Sequence, residues 1–130
     1  MRLLLDTNVI LRLALEPERL SRSLIDRLES DATRLVVSVV AAWEISIKWQ
    51  IGRLPIPRPP EVWVPTVLRE FGAELMTIEL DHVLRVAELP AHHGDPFDRL
   101  LIAQGQVESL PIVTADRSFS AYDVEVIPAK

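Results

Sequence analysis

His93-Gly94-Asp95-Pro96-Phe97-Asp98-Arg99-Leu100-Leu101-Ile102-Ala103-Gln104 sets two carboxylates at the start of a strongly apolar helix. Asp95 fits the N-cap, and Pro96 fits the first helical position, where its missing N–H costs nothing. Asp98 falls in the first turn, on the same side as Asp95. A cap and a first-turn acid are each worth roughly 0.3–2 kcal/mol to any helix. The stretch alone therefore assigns Asp95 to the cap and leaves Asp98 open between helix start and site. Other acids converging on the same point would decide it.

Upstream, Arg2-Leu3-Leu4-Leu5 is a short apolar run ended by Asp6-Thr7-Asn8, after which Val9 to Leu15 resumes at helical density. This reads as buried strand, acidic turn, helix. Ser21 to Asp31 carries Leu20, Leu24, Ile25 and Leu28 as one stripe, a surface helix. Leu35 to Val40 is β-branched and continuous, as a strand covered on both faces would be. Helical pattern follows from Ala41 to Ile51, with Glu44 in its first turn or so.

Gly52 to Pro60 holds four prolines in nine residues and must be a stiff extended loop. Glu61 to Phe71 reads as a helix with Pro65 near its first turn and Gly72 as its stop. Leu75 to Ile78 is a short strand, Asp81 to Leu89 a helix, and the Asp95 helix runs to about Ser109. Strands at Pro111–Thr114 and Val124–Pro128 close the chain. The order β-α-α-β-α-α-β-α-α-β-β predicts an α/β fold, a mostly parallel five-stranded sheet with helices on both faces. Its 130 residues, 48% of them hydrophobic, suit a single domain spanning 1–130.

The chain has no cysteine, so a metal site must use oxygen or the three histidines, which favours hard cations. No run is long enough to span a membrane, and a charge interrupts the first residues too early for a signal peptide; a cytoplasmic protein is expected. The net charge of −5 works against gripping nucleic acid by bulk electrostatics. Twelve of the fourteen cations are arginine, which suits local recognition of phosphate, and Arg12, Arg53, Arg58, Arg99 and Arg117 would have to form a positive strip.

Asp6 ends the first strand and Asp116 follows the fourth by two residues. Both lie at the carboxyl edge if these strands are parallel, where ligands of such sheets bind. The helix opened by Asp98 runs antiparallel to the strand it feeds, so its N-terminus reaches the same edge. The helix bearing Glu44 starts there too. Singly, each acid has an ordinary explanation: Asp6 as a cap, Asp116 in an Asx turn, Glu44 paired with Lys48 at i, i+4. Together, four carboxylates would repel one another unless a cation neutralised them, and Mg²⁺ or Mn²⁺ is the simplest choice. Hydrolysis of a phosphodiester is the natural use of such a site.

Four segments carry a resemblance: Leu4-Leu5-Asp6-Thr7-Asn8-Val9-Ile10-Leu11; Ala42-Trp43-Glu44-Ile45-Ser46-Ile47-Lys48; His93 to Gln104; and Val113-Thr114-Ala115-Asp116-Arg117-Ser118-Phe119. In this order and spacing the chain resembles the PIN-domain ribonucleases, specifically the VapC-type toxins of toxin–antitoxin pairs. The resemblance implies a Rossmann-like three-layer sandwich with five parallel strands. It implies that Asp6, Glu44, Asp98 and Asp116 form the acidic quartet that holds Mg²⁺ or Mn²⁺ and cuts RNA. Thr7 and Thr114 would orient a carboxylate or a water beside it. A homodimer and a cognate antitoxin that occludes the site are also implied. Asn8 departs from the pattern, since relatives commonly carry histidine there, which bears on substrate choice.

Beside the quartet, Asp95 is expected as N-cap first and as an outer helper second. Arg99 is expected either to reach a substrate phosphate or to pair with a nearby acid. His93 stands close enough to orient Asp95, while His82 and His92 read as solvated. Trp43, Trp49 and Trp63 read as core or interface residues. The rival readings are a catalytically inactive PIN-like binding module, opposed by the intact quartet, and a phosphoacceptor domain, which needs a lysine near the end of a late strand, where the sequence offers only Lys48 and the terminal Lys130.

Overall fold

The computed structural model describes residues 1–130. The strands are β1 Arg2–Leu5, β2 Arg34–Ser38, β3 Glu74–Met76, β4 Ile112–Thr114 and β5 Val126–Pro128. The helices are α1 Thr7–Leu15, α2 Arg22–Glu29, α3 Val39–Gln50, α4 Pro60–Phe71, α5 Leu80–Val86 and α6 Pro96–Glu108, with 3₁₀ turns at Pro17–Arg19 and Arg117–Ala121. This is the expected order of elements. The sheet runs β3-β2-β1-β4-β5, and every pairing is parallel.

Side-chain alternation along the strands divides the core into two layers. Leu3, Leu5, Leu35, Val37 and Val113 face one cluster, with Val9, Leu24, Ala41, Ile45, Trp63 and Val67 from α1 to α4. Leu4, Val36 and Ile112 face the other, with Leu101, Ile102 and Ala103 of α6 and Phe119. Helices therefore cover both faces, giving the three-layer α/β sandwich. Strand order places the topological switch point between β1 and β4: the chain winds outward to β3 and then returns to the other side of β1. The crevice beyond the carboxyl ends of these two strands is where such sheets bind ligands.

Several boundaries shift for local reasons. The second strand ends at Ser38 rather than Val40, because the Ser38 hydroxyl accepts from the Val40 N–H and starts α3 two residues early. Glu44 accordingly lies in the second turn of α3, not the first. Pro60 opens α4, so Pro65 falls inside it rather than in its first turn. Pro65 is exposed, so the Glu61 carbonyl it leaves without a partner can face water. Gly72 stops α4 at φ 58°, in the left-handed region that favours glycine. The Pro-rich loop is pinned by Ile56, which is buried in the first cluster.

Of the tryptophans, only Trp63 is core; Trp43 and Trp49 lie half-exposed on α3. The expectation that His82 is solvated is overturned. His82 is 1% exposed, its Nδ1 accepting from the Glu79 N–H and its Nε2 meeting Glu108 at 2.8 Å. Gln104, also buried, links this group to the fold, donating to the Thr77 carbonyl and accepting from Ser38. A buried polar chain thus ties α5 and α6 to the N-cap of α3. His92 is exposed, as expected.

Candidate metal centre

At the carboxyl edge of the sheet two strands end and two helices begin, and each brings an acid. Asp6 leaves β1 and caps α1, its Oδ1 accepting from the Thr7 N–H at 2.7 Å. Its Oδ2 accepts from the Thr114 hydroxyl at 2.7 Å, a bond across 108 residues. Thr7 donates its own hydroxyl to Glu44 Oε1 at 2.7 Å, and the other Glu44 oxygen pairs with Lys48 one turn on. Thr114 Oγ1 also accepts from the Asp116 N–H at 3.0 Å. Both threonines thus orient carboxylates. Asp95 is an N-cap, its Oδ1 accepting from the Phe97 and Asp98 N–H groups.

Asp98 and Asp116 are joined by a residue whose part the sequence did not reveal. His93 Nε2 lies 3.0 Å from Asp98 Oδ2 and 3.1 Å from Asp116 Oδ2. Ligand atoms of these three residues lie within 4.8 Å of one another, close enough to share one ion. The Asp95 N–H points at His93 Nδ1 (3.1 Å) and can only donate. Nδ1 is therefore an acceptor, and in the neutral ring Nε2 carries the hydrogen and donates to the two carboxylates. So His93 does contact Asp95, as expected, but through the backbone, and its main contacts are the other two acids. Its position five residues before Asp98 was the one signal available.

The electrostatics describe a centre short of positive charge. Burial is the first cause that raises the Asp98 carboxyl, to about 7, and the charges of Asp6, Asp95 and Glu44 add to it, opposed by His93. Asp6 is also raised, by burial first, with its hydrogen bonds from Thr114 and Thr7 opposing. Burial works the same way on Asp116, but the Ser118 hydroxyl and N–H and the His93 contact hold it below the usual carboxylate range. Lys48 is raised by its bond to Glu44 and is the one ammonium among these acids. Oxygen donors in negative excess, two with raised proton affinity, fit a hard divalent cation such as Mg²⁺ or Mn²⁺.

Arg99 requires a correction: it neither pairs with an acid nor projects freely toward a substrate. Its guanidinium donates to the carbonyls of Pro90 (2.9 Å), Val86 (3.2 Å) and Leu89 (3.3 Å), and lies 3.4 Å from that of His93 and from the Tyr122 hydroxyl. It binds the connection between α5 and α6, which carries His93. Trp43 packs edge-on against Phe97, with centroids 4.7 Å apart, joining α3 to the start of α6 beside the acids.

A parallel α/β sandwich whose switch point gathers acids short of positive charge defines the class. Within it the family is shown directly: the model of the PIN domain matches residues 3–125, and the chain belongs to the PIN domain family. Ribonuclease VapC16 of Mycobacterium tuberculosis is 33% identical over 48 residues, 37% of this chain. That match spans about a third (34%) of the length of VapC16. Among solved structures, VapBC2 of Rickettsia felis, bound to a DNA fragment from its promoter, superposes with a TM-score of 0.76 at 12% identity, covering 100% of both chains. FitAcB of Neisseria gonorrhoeae gives 0.67 at 22% identity over 96% of both chains. No helix here is long and apolar enough to cross a membrane.

Proposed function

We propose that this chain is a metal-dependent endoribonuclease acting as the toxin of a toxin–antitoxin pair. The observation that carries the reading is that, in a PIN-family chain, Asp98 and Asp116 share His93 within ion-binding distance while Asp6 and Glu44 lie near enough for their charges to raise Asp98. Asp6, Asp98 and Asp116 would hold Mg²⁺ or Mn²⁺, and Glu44 would bind the ion or position the attacking water. The bound ion would supply positive charge to stabilise the phosphoryl group as one P–O bond is hydrolysed. Thr7 and Thr114 keep Glu44 and Asp6 in one orientation, which limits the reorganisation needed at reaction. Ribonuclease VapC16 supports the ribonuclease part of the reading, and the similar solved structure of VapBC-5 from Mycobacterium tuberculosis, a member of a family of toxin–antitoxin systems, supports the antitoxin part. Leu80, Val83 and Leu84 on α5 and Leu75 on the edge strand β3 are exposed, which supports a homodimer. Such a toxin would work in the cytoplasm, on RNA, until its antitoxin covers the site.

Purified, antitoxin-free protein should cleave RNA in Mn²⁺ or Mg²⁺ and lose that activity in EDTA. Cleavage that persists in EDTA would overturn the metal-dependent mechanism. Cadmium substitution tests the part of His93. In ¹¹³Cd-loaded protein with ¹⁵N-labelled histidine, His93 should show the Nε2–H tautomer and no coupling to cadmium. Coupling to Nε2 would make the ring a ligand and displace the donor reading.

A further inference from the structure

Beside Asp116 lies an open hollow of about 230 Å³ lined by Thr114, Asp116, Arg117, Ser120 and Lys130, among others. It adjoins the acidic centre, since Asp116 belongs to both and Thr114 holds Asp6. Strand pairing builds it: Thr114 is in register with Pro128, and the Ala129 N–H donates to the Thr114 carbonyl at 2.8 Å. Two residues beyond that pair on each chain segment, Asp116 and Lys130 both line the hollow. Arg117 opens the 3₁₀ turn that Asp116 caps.

Among the cations without a partner, Arg117 and Lys130 are the two that line this hollow beside Asp116. Arg2, Arg19, Arg22, Lys48 and Arg85 each pair with an acid, and Arg99 is engaged by carbonyls. The side chains of Arg117 and Lys130 make neither an ion pair nor a hydrogen bond, and both are exposed. They are free positive charge beside a centre that is otherwise acidic. A polyanionic strand laid across that centre needs its flanking phosphates neutralised, because a cation at the four acids offsets only part of their charge. An arginine fork with a lysine ammonium is a phosphate-binding pair.

We propose that this hollow is the subsite for a phosphate flanking the scissile bond of the RNA, bound by Arg117 and Lys130 with the Ser120 hydroxyl. The inference rests on the nuclease reading above. In Mn²⁺, with labelled single-stranded RNA of random sequence, Arg117→Ala combined with Lys130→Ala should raise KM about tenfold, with kcat changing far less. The slope of log binding against log salt should become shallower by about 1, and Arg117→Glu should weaken binding further. Calorimetry should give an unchanged Mn²⁺ affinity. An unchanged KM and salt slope, in protein that still cleaves RNA, would overturn the subsite alone. A loss of Mn²⁺ affinity would also overturn it, by showing that the cations support the acidic centre. Wild-type protein that neither binds nor cuts RNA would overturn the nuclease reading together with the subsite.

Discussion

Replacing Asp98 with asparagine is expected to lower Mn²⁺-dependent RNA cleavage roughly 10³-fold, about 4 kcal/mol of transition-state stabilisation, while making the metal-free protein more stable at pH 8. The two effects share one cause. Asp98 lies half-buried among Asp6, Asp95 and Glu44, and its carboxyl is raised from 3.8 to about 7. Between these values the folded chain binds a proton that the unfolded chain has released. Its contribution to stability is therefore full below about pH 4, is lost as pH rises, and is gone above about 7. Asparagine keeps the shape without the charge, so the variants should have similar stability near pH 4 and diverge toward pH 8. Because Asp98 is partly open to solvent, the gain is set near 1 kcal/mol, a Tm increase of roughly 3–6 °C. Cation binding must displace the same proton, so Mn²⁺ affinity measured by calorimetry should rise between pH 6 and 8. Full activity of Asp98→Asn, or a lower Tm at pH 8, would contradict this account.

Arg99→Ala is expected to lower stability by about 3 kcal/mol, a fall in Tm of roughly 10 °C. The guanidinium donates to three carbonyls at 3.3 Å or less, those of Val86 at the end of α5 and of Leu89 and Pro90 early in the connection that follows it. Each bond from a charged donor is worth about 1.5–3 kcal/mol, and removing the donor leaves part-buried carbonyls in need of new partners. Arg99→Lys should recover less than half of the loss, since one ammonium cannot span the carbonyls that a planar fork reaches. Because the same connection carries His93, Arg99→Ala should also raise the Mn²⁺ concentration needed for half-maximal activity. Thermal melts of Arg99→Ala within about 1 °C of wild type would mean that water satisfies these carbonyls as well as the arginine does.

The acids and the arginine differ in how much of their part was legible. Asp6, Asp98 and Asp116 each sit at the boundary of a strand or helix, and in an all-parallel sheet a boundary has a definite edge. Counting elements was enough to bring them to one rim. Arg99 also sits at a boundary, but its partners are backbone carbonyls of a segment with no periodic pattern. Nothing in residue types identifies a carbonyl as unsatisfied. His82 was misread for a different reason: among Leu80, Val83 and Leu84 a histidine reads as the surface residue, yet those three are exposed and His82 is buried.

The features legible from residue order alone are local and periodic. Alternating runs set the eleven elements in order, Asp6, Asp95 and Gly72 marked helix ends through their own caps, and buried β-branched strands required helices on both faces. Only the tertiary structure decided the strand order that makes β1 and β4 neighbours. Packing also set the bonds Thr114–Asp6 and Thr7–Glu44, the bridging of Asp98 and Asp116 by His93, and the placing of Arg117 and Lys130 around a hollow beside Asp116. The physical reason is range. Caps and periodicity are satisfied within a few residues, whereas a buried carboxylate takes whichever donor packing brings within about 3 Å, and here that donor is up to 108 residues away.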